Sequence, residues 1–444
     1  MKKFIIIMLI CVISLKLNAK DYLTIYNQNQ ALFKTEVELD LKNGVHFYAF
    51  ENIPTGIVTE SVIFLPKDKN VSLYSQNFEY DLANSQKTIE KYINKAVRLT
   101  TENETFNGIL IFYDRANFGL LNESTKELNI VSASKVTNIL LSEMPNDFYT
   151  KPTLRWQLYS PRAAKFKADL SYLTGGIEWR ATYNVVLTKN DFALNSWVTI
   201  NNRSGKDFQN VNLKLIAGNV QTHNTINRRR YETDEMKAYV TSAAPPTFTE
   251  REFSDYRIYT LDKPADIDNN QEKQLTLYQT KTVKYSRKYE YQVHGQSVDV
   301  IIDFKNSKTS GLGEPLPAGN MNFYEIDEKD NTNQFVGVSR LENTSINQDI
   351  SLKIGTAFDI VAETKTIEST VTGRTRITNY EVKLTNNKSE AVEVEITRNI
   401  QSANVEILNP SISFTKKDAF NFIFKMKLAA GKSEKLTFTE RING

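Results

Sequence analysis

The chain has 444 residues, of which 24% are charged and 11% are aromatic, and its formal net charge is only +3. This length exceeds one ordinary hydrophobic core and predicts about two to four domains. The small net charge argues against nucleic acid as a partner, because nucleic-acid-binding proteins carry a clustered basic surface. The aromatic share favours strands over helices.

Residues 1–19 are predicted to be a signal peptide. Lys2 and Lys3 precede the apolar stretch Phe4–Leu15, which is too short to cross a bilayer as a helix, and the small residue Ala19 precedes the expected cleavage site. A retained anchor is the less favoured alternative. We therefore expect an exported protein, periplasmic or secreted to the cell surface, with no integral membrane span after cleavage.

Cys11, the single cysteine, lies inside this signal peptide. The mature chain would then contain no cysteine. Disulfides, thiolate catalysis and cysteine-bound zinc are excluded on that basis.

Residues 20–84 are predicted to form an N-terminal β-domain. Apolar residues alternate along Ala31–Leu41, which is typical of a half-buried strand. Asn43-Gly44 is a strong hairpin dipeptide and predicts that this strand pairs with Val45–Phe50.

Residues 85–145 are predicted to form a small inserted barrel. A short helix at Gln86–Ile93, with Ser85 as its N-cap, precedes five short strands: Ala96–Thr101, Thr105–Tyr113, Asn117–Leu121, Glu127–Ser132 and Val136–Leu141. One helix and five short strands resemble SH3-like or Sm-like barrels. Several such barrels bind RNA, but a fold does not imply a function and the export signal argues against RNA.

Residues 146–370 are predicted to form a central β-domain built on the strand meander Asp169–Gln221. Its long loop at 222–250 contains the candidate binding residues Arg228, Arg229, Arg230 and Tyr231. Consecutive arginines suit an anionic partner such as a phosphate or an acidic glycan. A solvated charge run is the favoured alternative.

Within the central domain, Lys273–Tyr285 and Tyr289–Phe304 are predicted to be two separate strands.

Residues 371–444 have the strand spacing of a C-terminal immunoglobulin-like β-sandwich. The turn Asn386–Ser389 resembles the turn Asn201–Ser204, as in two related units, although turn chemistry alone could produce this similarity. The predicted fold is therefore all-β and multi-domain, with β-sandwich or immunoglobulin-like modules and an inserted small barrel.

Residues for metal, cofactor or nucleophilic chemistry do not form recognisable motifs. The acidic stretch Asp266–Asn270 lacks the glycine and glutamate of a calcium loop, and Gly311–Gly319 contains two prolines, unlike a dinucleotide loop. The three histidines are isolated from one another: His46, His223 and His294. We predict no catalytic residue, no metal site and no cofactor.

Five segments resemble a bacterial family of mucoidy-inhibitor-like (MuiA-type) domains of unknown function. They are YLTGGIEWRATY (Tyr172–Tyr183), WVTINNRSGKDFQNVNLKLIAG (Trp197–Gly218), GLGEPLPAG (Gly311–Gly319), QFVGVSRLENT (Gln334–Thr344) and IGTAFDIVAE (Ile354–Glu363). The resemblance implies an exported β-rich protein and brings no agreed catalytic residues. Its structural motif residues here are Gly175, Gly176, Trp179, Arg180, Trp197, Gly205, Gly218, Gly311, Gly313, Pro315, Pro317 and Gly319.

Export, β-modules and the lack of catalytic motifs together predict a non-enzymatic interaction or structural module of the bacterial cell envelope. Its partner would be an envelope protein or a cell-surface polymer, bound through strand edges and loops. The alternative is a carbohydrate-active hydrolase that uses paired carboxylates on a β-scaffold, with Glu178 as one candidate.

Overall fold

The computed structural model describes residues 21–141, 143–144, 148–218, 247–400, 402 and 404–443, and these residues are nearly all β. This confirms the all-β prediction. They divide into two compact units. The first unit comprises the described residues up to Glu178 together with Asn201–Leu215 and Pro264–Glu272, and the second unit comprises those of Trp179–Ile200, Ile216–Lys263 and Lys273–Gly444. The described chain contains no helix with the length and apolar character of a membrane span.

The strands of the first part of the chain are β1 (Tyr22–Tyr26), β2 (Gln30–Leu41), β3 (Gly44–Glu51), β4 (Ile63–Pro66), β5 (Ser72–Glu79), β6 (Ala96–Thr101), β7 (Thr105–Tyr113), β8 (Asn117–Leu121), β9 (Leu128–Ser132), β10 (Val136–Leu141), β11 (Thr153–Ser160), β12 (Ala164–Gly175), β13 (Ile177–Leu187), β14 (Asp191–Asn202) and β15 (Phe208–Ala217). The helix α1 (Ser85–Glu90) and the 3-10 turns Thr59–Ser61, Asp81–Ala83 and Ala133–Lys135 lie among them.

The remaining strands are β16 (Phe248–Phe253), β17 (Tyr256–Leu261), β18 (Ala265–Ile267), β19 (Gln271–Gln292), β20 (Asp299–Lys305), β21 (Gly319–Asp327), β22 (Thr332–Leu341), β23 (Asp349–Thr356), β24 (Ile360–Thr372), β25 (Thr375–Asn386), β26 (Val392–Asn399), β27 (Val405–Leu408), β28 (Phe414–Lys416), β29 (Asn421–Leu428) and β30 (Ser433–Asn443). A further 3-10 turn is Lys308–Ser310. Most strands alternate buried and exposed positions, as strands with one wet face do.

Two sheets of the first unit share one core. One sheet has the strand order β15-β1-β2-β12-β4, with β18 paired to β15, and the other has the order β3-β11-β5. Trp156 of β11 is fully buried, and its ring centroid lies 4.6 Å from that of Phe64 on β4. The inner face of β3-β11-β5 therefore packs against the core, and its outer face is exposed to solvent.

The predicted hairpin at Asn43-Gly44 is wrong. Strand β3 pairs with β11 along its whole length and does not pair with β2. Both edges of β2 are already occupied, by β1 and by β12. Gly44 still makes the turn, with φ of 91°, but the chain leaves it for a different sheet.

Strands β6 to β10 lie within one residue of their predicted positions and form one antiparallel sheet of order β10-β6-β7-β8-β9. The outer strands β10 and β9 do not pair with each other, so these described residues form no closed barrel and that part of the prediction is wrong. Helix α1 contributes Ile89 to the core of this sheet. Its N-cap is Asn84, whose Oδ1 accepts from the Lys87 amide at 2.9 Å, and not Ser85.

The second unit is built on a sheet whose main path is β22-β21-β13-β14-β19-β26-β29-β28. Strand β20 also pairs with β19, and β23 pairs with β20. Strand β19 continues unbroken through Tyr285–Tyr289, where the sequence pattern predicted a break, and ends only at Gln292. A four-stranded sheet, β24-β25-β30-β27, packs its apolar residues against those of β19, β26 and β29.

Candidate functional site

The proline-containing segment Gly311–Gly319 is a buried structural loop of the second unit. Its carbonyls accept three tyrosine hydroxyls: Tyr183 donates to Pro317 at 2.7 Å, and Tyr259 and Tyr278 donate to Pro315 at 3.2 Å and 2.7 Å. Burial raises the pKa of all three hydroxyls, which keeps them protonated as donors. This motif therefore ties strands together.

Two of the motif glycines are required by the backbone. Gly176 has φ of 80°, and a Cβ there would lie 2.8 Å from the Arg203 carbonyl oxygen. Gly205 has φ of 85°, and a Cβ there would lie 2.6 Å from Thr55 Oγ1. Both turns belong to the first unit, and the glycines there have a structural reason.

The other motif residues also lie in or beside the strands. Trp179 is buried and donates its Nε1–H to the Ile216 carbonyl at 3.1 Å. Trp197 is half-buried in β14, and Arg180 is exposed in β13. The remaining glycines lie at strand ends or turns: Gly175, Gly218, Gly311, Gly313 and Gly319.

The candidate binding residues Arg228, Arg229, Arg230 and Tyr231 lie outside the described residues, as does His223. In the described part of the chain, no group of three or more His, Cys, Asp or Glu side chains is arranged to hold a metal. Asp266 lies in β18 and accepts a hydrogen bond from the Asn210 amide at 2.7 Å.

A polar cleft of about 580 Å³ lies on the sheet of the second unit. Its floor is formed by residues of β19, β20, β23, β26 and β29 that point to one face. They include Ser286, Lys288, Glu290, Gln292, Asp303, Ser351, Glu395, Thr397 and Asn421. The parallel register of β19 and β26 places Glu290 opposite Glu395.

The two glutamates of this cleft lie in different electrostatic environments. Glu395 forms an ion pair with Lys425 at 2.9 Å. Glu290 takes no ion pair or hydrogen bond within the described residues, and its pKa is raised by burial and then by the charge of Glu395. Glu290 is therefore easier to protonate than an exposed glutamate, whereas the carboxylate of Glu395 has a lysine beside it.

An aromatic face covers the outside of the β3-β11-β5 sheet in the first unit. We define the aromatic face as Val45, Phe47, Tyr74, Ser75, Arg155, Gln157 and Tyr159. Phe47 and Tyr74 are 55% and 59% exposed, although both are large aromatic side chains. Exposed aromatic and arginine side chains are enriched where proteins bind other molecules.

The side chains of the aromatic face are held in pairs. The Arg155 guanidinium lies 4.0 Å from the centroid of the Phe47 ring. Tyr74 and Tyr159 stack with centroids 6.3 Å apart and planes 12° apart. Between these pairs, Ser75 donates to Gln157 Oε1 at 3.3 Å.

Sequence reasoning did not find either surface. Glu290 and Glu395 come together only because β19 pairs with β26 in a long-range parallel register. The aromatic face depends on the pairing of β3 with β11, which the Asn43-Gly44 signal obscured. An available signal was the alternation in Val45–Glu51, where Val45 and Phe47 share the face opposite to that of Tyr48.

The described residues define an all-β protein of two compact units, in which the recognisable motif residues maintain the architecture. A family model for DUF4139, a domain of unknown function, matches residues 168–443. Because this match covers more than half of the chain, the protein belongs to the DUF4139 family. A search of curated proteins gives no match.

Proposed function

We propose that this protein is an exported, non-enzymatic interaction module of the bacterial cell envelope, periplasmic or at the cell surface. We also propose that the protein is related to MuiA-type domains and that its sheets pack as β-sandwich or immunoglobulin-like modules. The signal-peptide pattern of residues 1–19 supports export.

The observation that carries the proposal is the aromatic face. A sheet normally exposes polar side chains on its solvent side, yet this face exposes Val45, Phe47 and Tyr74 together. The rings of Phe47 and Tyr74 already rest against Arg155 and Tyr159, so binding would cost little side-chain entropy.

In-cell photocrosslinking tests this function. A benzophenone amino acid placed at Ser75, on the face, or at Asn77, which lies opposite Arg155 at its border, should give recurrent crosslinked products in the exported protein. The same probe at Leu65, an exposed residue of β4 in the other sheet of this unit, is the matched control. Equal products from both positions would contradict a role for the face, and retention of the protein in the cytoplasm would contradict export.

A second candidate is a carbohydrate-active hydrolase, favoured by the carboxyl pair in the cleft. The register places Glu290 opposite Glu395 on strands about 4.8 Å apart, an arrangement compatible with the close carboxyl pair of retaining glycosidases. Glu290 would be the acid and Glu395 the carboxylate, as their unlike environments suggest. The lining within the described residues contains no Trp or Tyr for stacking sugars, which favours the first proposal.

Hydrolysis of a panel of nitrophenyl glycosides tests the second candidate. Glu290→Gln and Glu395→Gln should each abolish turnover, whereas Glu381→Gln, which removes an exposed ion pair with Lys435, should not. Because the Glu290 pKa is raised, its acid form persists to higher pH, and activity should fall as pH rises through that pKa. No turnover by the unaltered protein would leave the interaction module as the function.

A further inference from the structure

We propose that the aromatic face binds a linear, uncharged polysaccharide chain laid along the β3-β11-β5 sheet. This inference rests on the proposed function, because it names the class of molecule that the interaction module would hold. It draws on the size of the face, on its charges and on the side chains between its rings.

Size favours a chain molecule over a folded partner. All three strands have eight residues. At about 3.3 Å per residue and about 4.8 Å per strand, the face measures roughly 26 Å by 14 Å. A specific protein interface buries about 800 Å² on each partner, roughly twice this flat area. A single extended polymer chain needs only a strip of this length and width.

Charge favours a neutral polymer. Arg155 is the one cation of the aromatic face, and its guanidinium already stacks on Phe47. At one end of the sheet the strand register aligns Glu51, Thr153 and Glu79, which adds two carboxylates beside the face. An acidic polymer would meet repulsion there and would find no free cationic cluster.

The polar side chains of the face suit a hydroxylated ligand. Successive cross-strand rows carry Val45, Tyr159 and Ser72, then Phe47, Gln157 and Ser75, then Ala49, Arg155 and Asn77. Rings and amide or hydroxyl groups therefore alternate over the surface. Sugar rings present apolar faces and hydroxyl edges, and this combination offers a partner to each.

The rings are also fixed before any ligand arrives. The bulge in β5 between Leu73 and Ser75 turns Tyr74 onto Tyr159. Phe47 is held by Arg155 on the neighbouring strand. A rigid platform of this kind can bind repeating units along a chain with little loss of conformational freedom.

Affinity electrophoresis of the full exported protein tests the inference. The native gels would contain a neutral polymer (hydroxyethyl cellulose, dextran or galactomannan), the anionic carboxymethyl cellulose or the cationic glycol chitosan. We expect at least one neutral polymer to retard the protein, and the anionic polymer to leave its migration unchanged. Phe47→Ala and Tyr74→Ala should each weaken retardation by roughly tenfold, because each removes a ring on which the chain would pack. Phe358→Ala, which removes a ring that is 94% exposed in the second unit, is the matched control.

The outcomes separate this inference from the proposed function. Retardation only by the charged polymers, or retardation that survives both face substitutions, would overturn the polysaccharide assignment. Recurrent crosslinks from Ser75 or Asn77 to one envelope protein, without retardation by any neutral polymer, would also overturn it and leave the interaction module standing. Absence of both signals would remove the inference and the function together.

Discussion

Two turns, one in each unit, are built around a fully buried asparagine at the end of a strand. Asn202 ends β14 and Asn386 ends β25, and neither side chain is exposed. In both turns Oδ1 accepts the amide two residues later and Nδ2 donates to the carbonyl four residues later. The distances are 3.0 Å and 2.9 Å for Asn202, and 3.0 Å and 2.8 Å for Asn386.

Each asparagine also reaches a neighbouring segment. Asn202 Nδ2 donates to the Ile267 carbonyl at 3.0 Å, and Asn386 Nδ2 donates to the Leu428 and Ala429 carbonyls at 3.3 Å and 3.1 Å. The side chain thus replaces the hydrogen bonds that the backbone loses where a strand ends.

The two turns differ at the third residue after the asparagine. The first turn has Gly205 at φ of 85°, pressed against Thr55, whereas the second has the exposed Ser389 with a negative φ. A shared bridging asparagine therefore fixes the local hydrogen bonds without fixing the backbone path. The hydrogen bonds required at the end of a strand are enough to explain the similarity of the two turn sequences. A duplicated domain is not needed to explain it.

The largest expected effect comes from removing the bridging asparagine. Asn386→Ala and Asn202→Ala should each lower the free energy of unfolding by about 2–3 kcal/mol, because buried backbone groups lose their partners. Urea unfolding of the full chain, followed by far-UV circular dichroism and tryptophan fluorescence, measures this. The control is Asn387→Ala, an exposed neighbour with no side-chain hydrogen bond in the described structure, which should change little. If all three substitutions cost the same, the buried bridge is not what stabilises these turns.

The difference between the turns can be tested at their third position after asparagine. Gly205→Ala forces an alanine into the left-handed region, at about 1–2 kcal/mol, and pushes its Cβ against Thr55. Ser389→Gly should cost less than about 1 kcal/mol, because only chain entropy changes there. Thermal unfolding of the two variants checks this order, and a harmless Gly205→Ala would show that the first turn can follow the path of the second.

Local chemistry was predictable from the sequence, and long-range pairing was not. The five strands from Ala96 to Leu141 followed from alternation and turn residues. Strand β3 does not pair with β2 because β1 and β12 already occupy both edges of β2. No local sequence pattern indicates this competition between strands. The aromatic face and the Glu290–Glu395 pair both arise from such pairings, so the sequence motifs indicated the scaffold and missed the candidate sites.

Each turn contains a lysine whose ammonium group lies over an aromatic ring. The contributions of these two lysines to stability should change in opposite directions as the pH rises. Lys388 Nζ donates to Tyr289 Oη at 2.8 Å and lies 3.4 Å from Glu390 Oε1. Burial alone would lower its pKa, but these partners outweigh burial and the pKa is raised. Its stabilisation is therefore present below the unfolded pKa, about 10.4, and is lost as pH rises through the folded pKa. Lys388→Met should cost about 1 kcal/mol near neutral pH, and urea unfolding should show that cost shrinking above about pH 10.

Lys206 should give the smallest effect and the opposite sign. Burial lowers its pKa, against the attraction of Asp21 and Asp207, so the folded state disfavours the charged form. The free-energy cost of burying the charged lysine is present below the folded-state pKa and disappears as the pH rises past the unfolded-state pKa. Lys206 therefore makes the first unit more stable at higher pH. Lys206→Met should stay within about 0.5 kcal/mol of the unaltered protein near neutral pH, because relief of the buried charge offsets the lost hydrogen bond to the Asn52 carbonyl. It should also remove the rise in stability that urea unfolding shows as the pH approaches the unfolded lysine pKa, about 10.4, whereas a pH response shared with Lys388→Met would mean that the two lysines act alike.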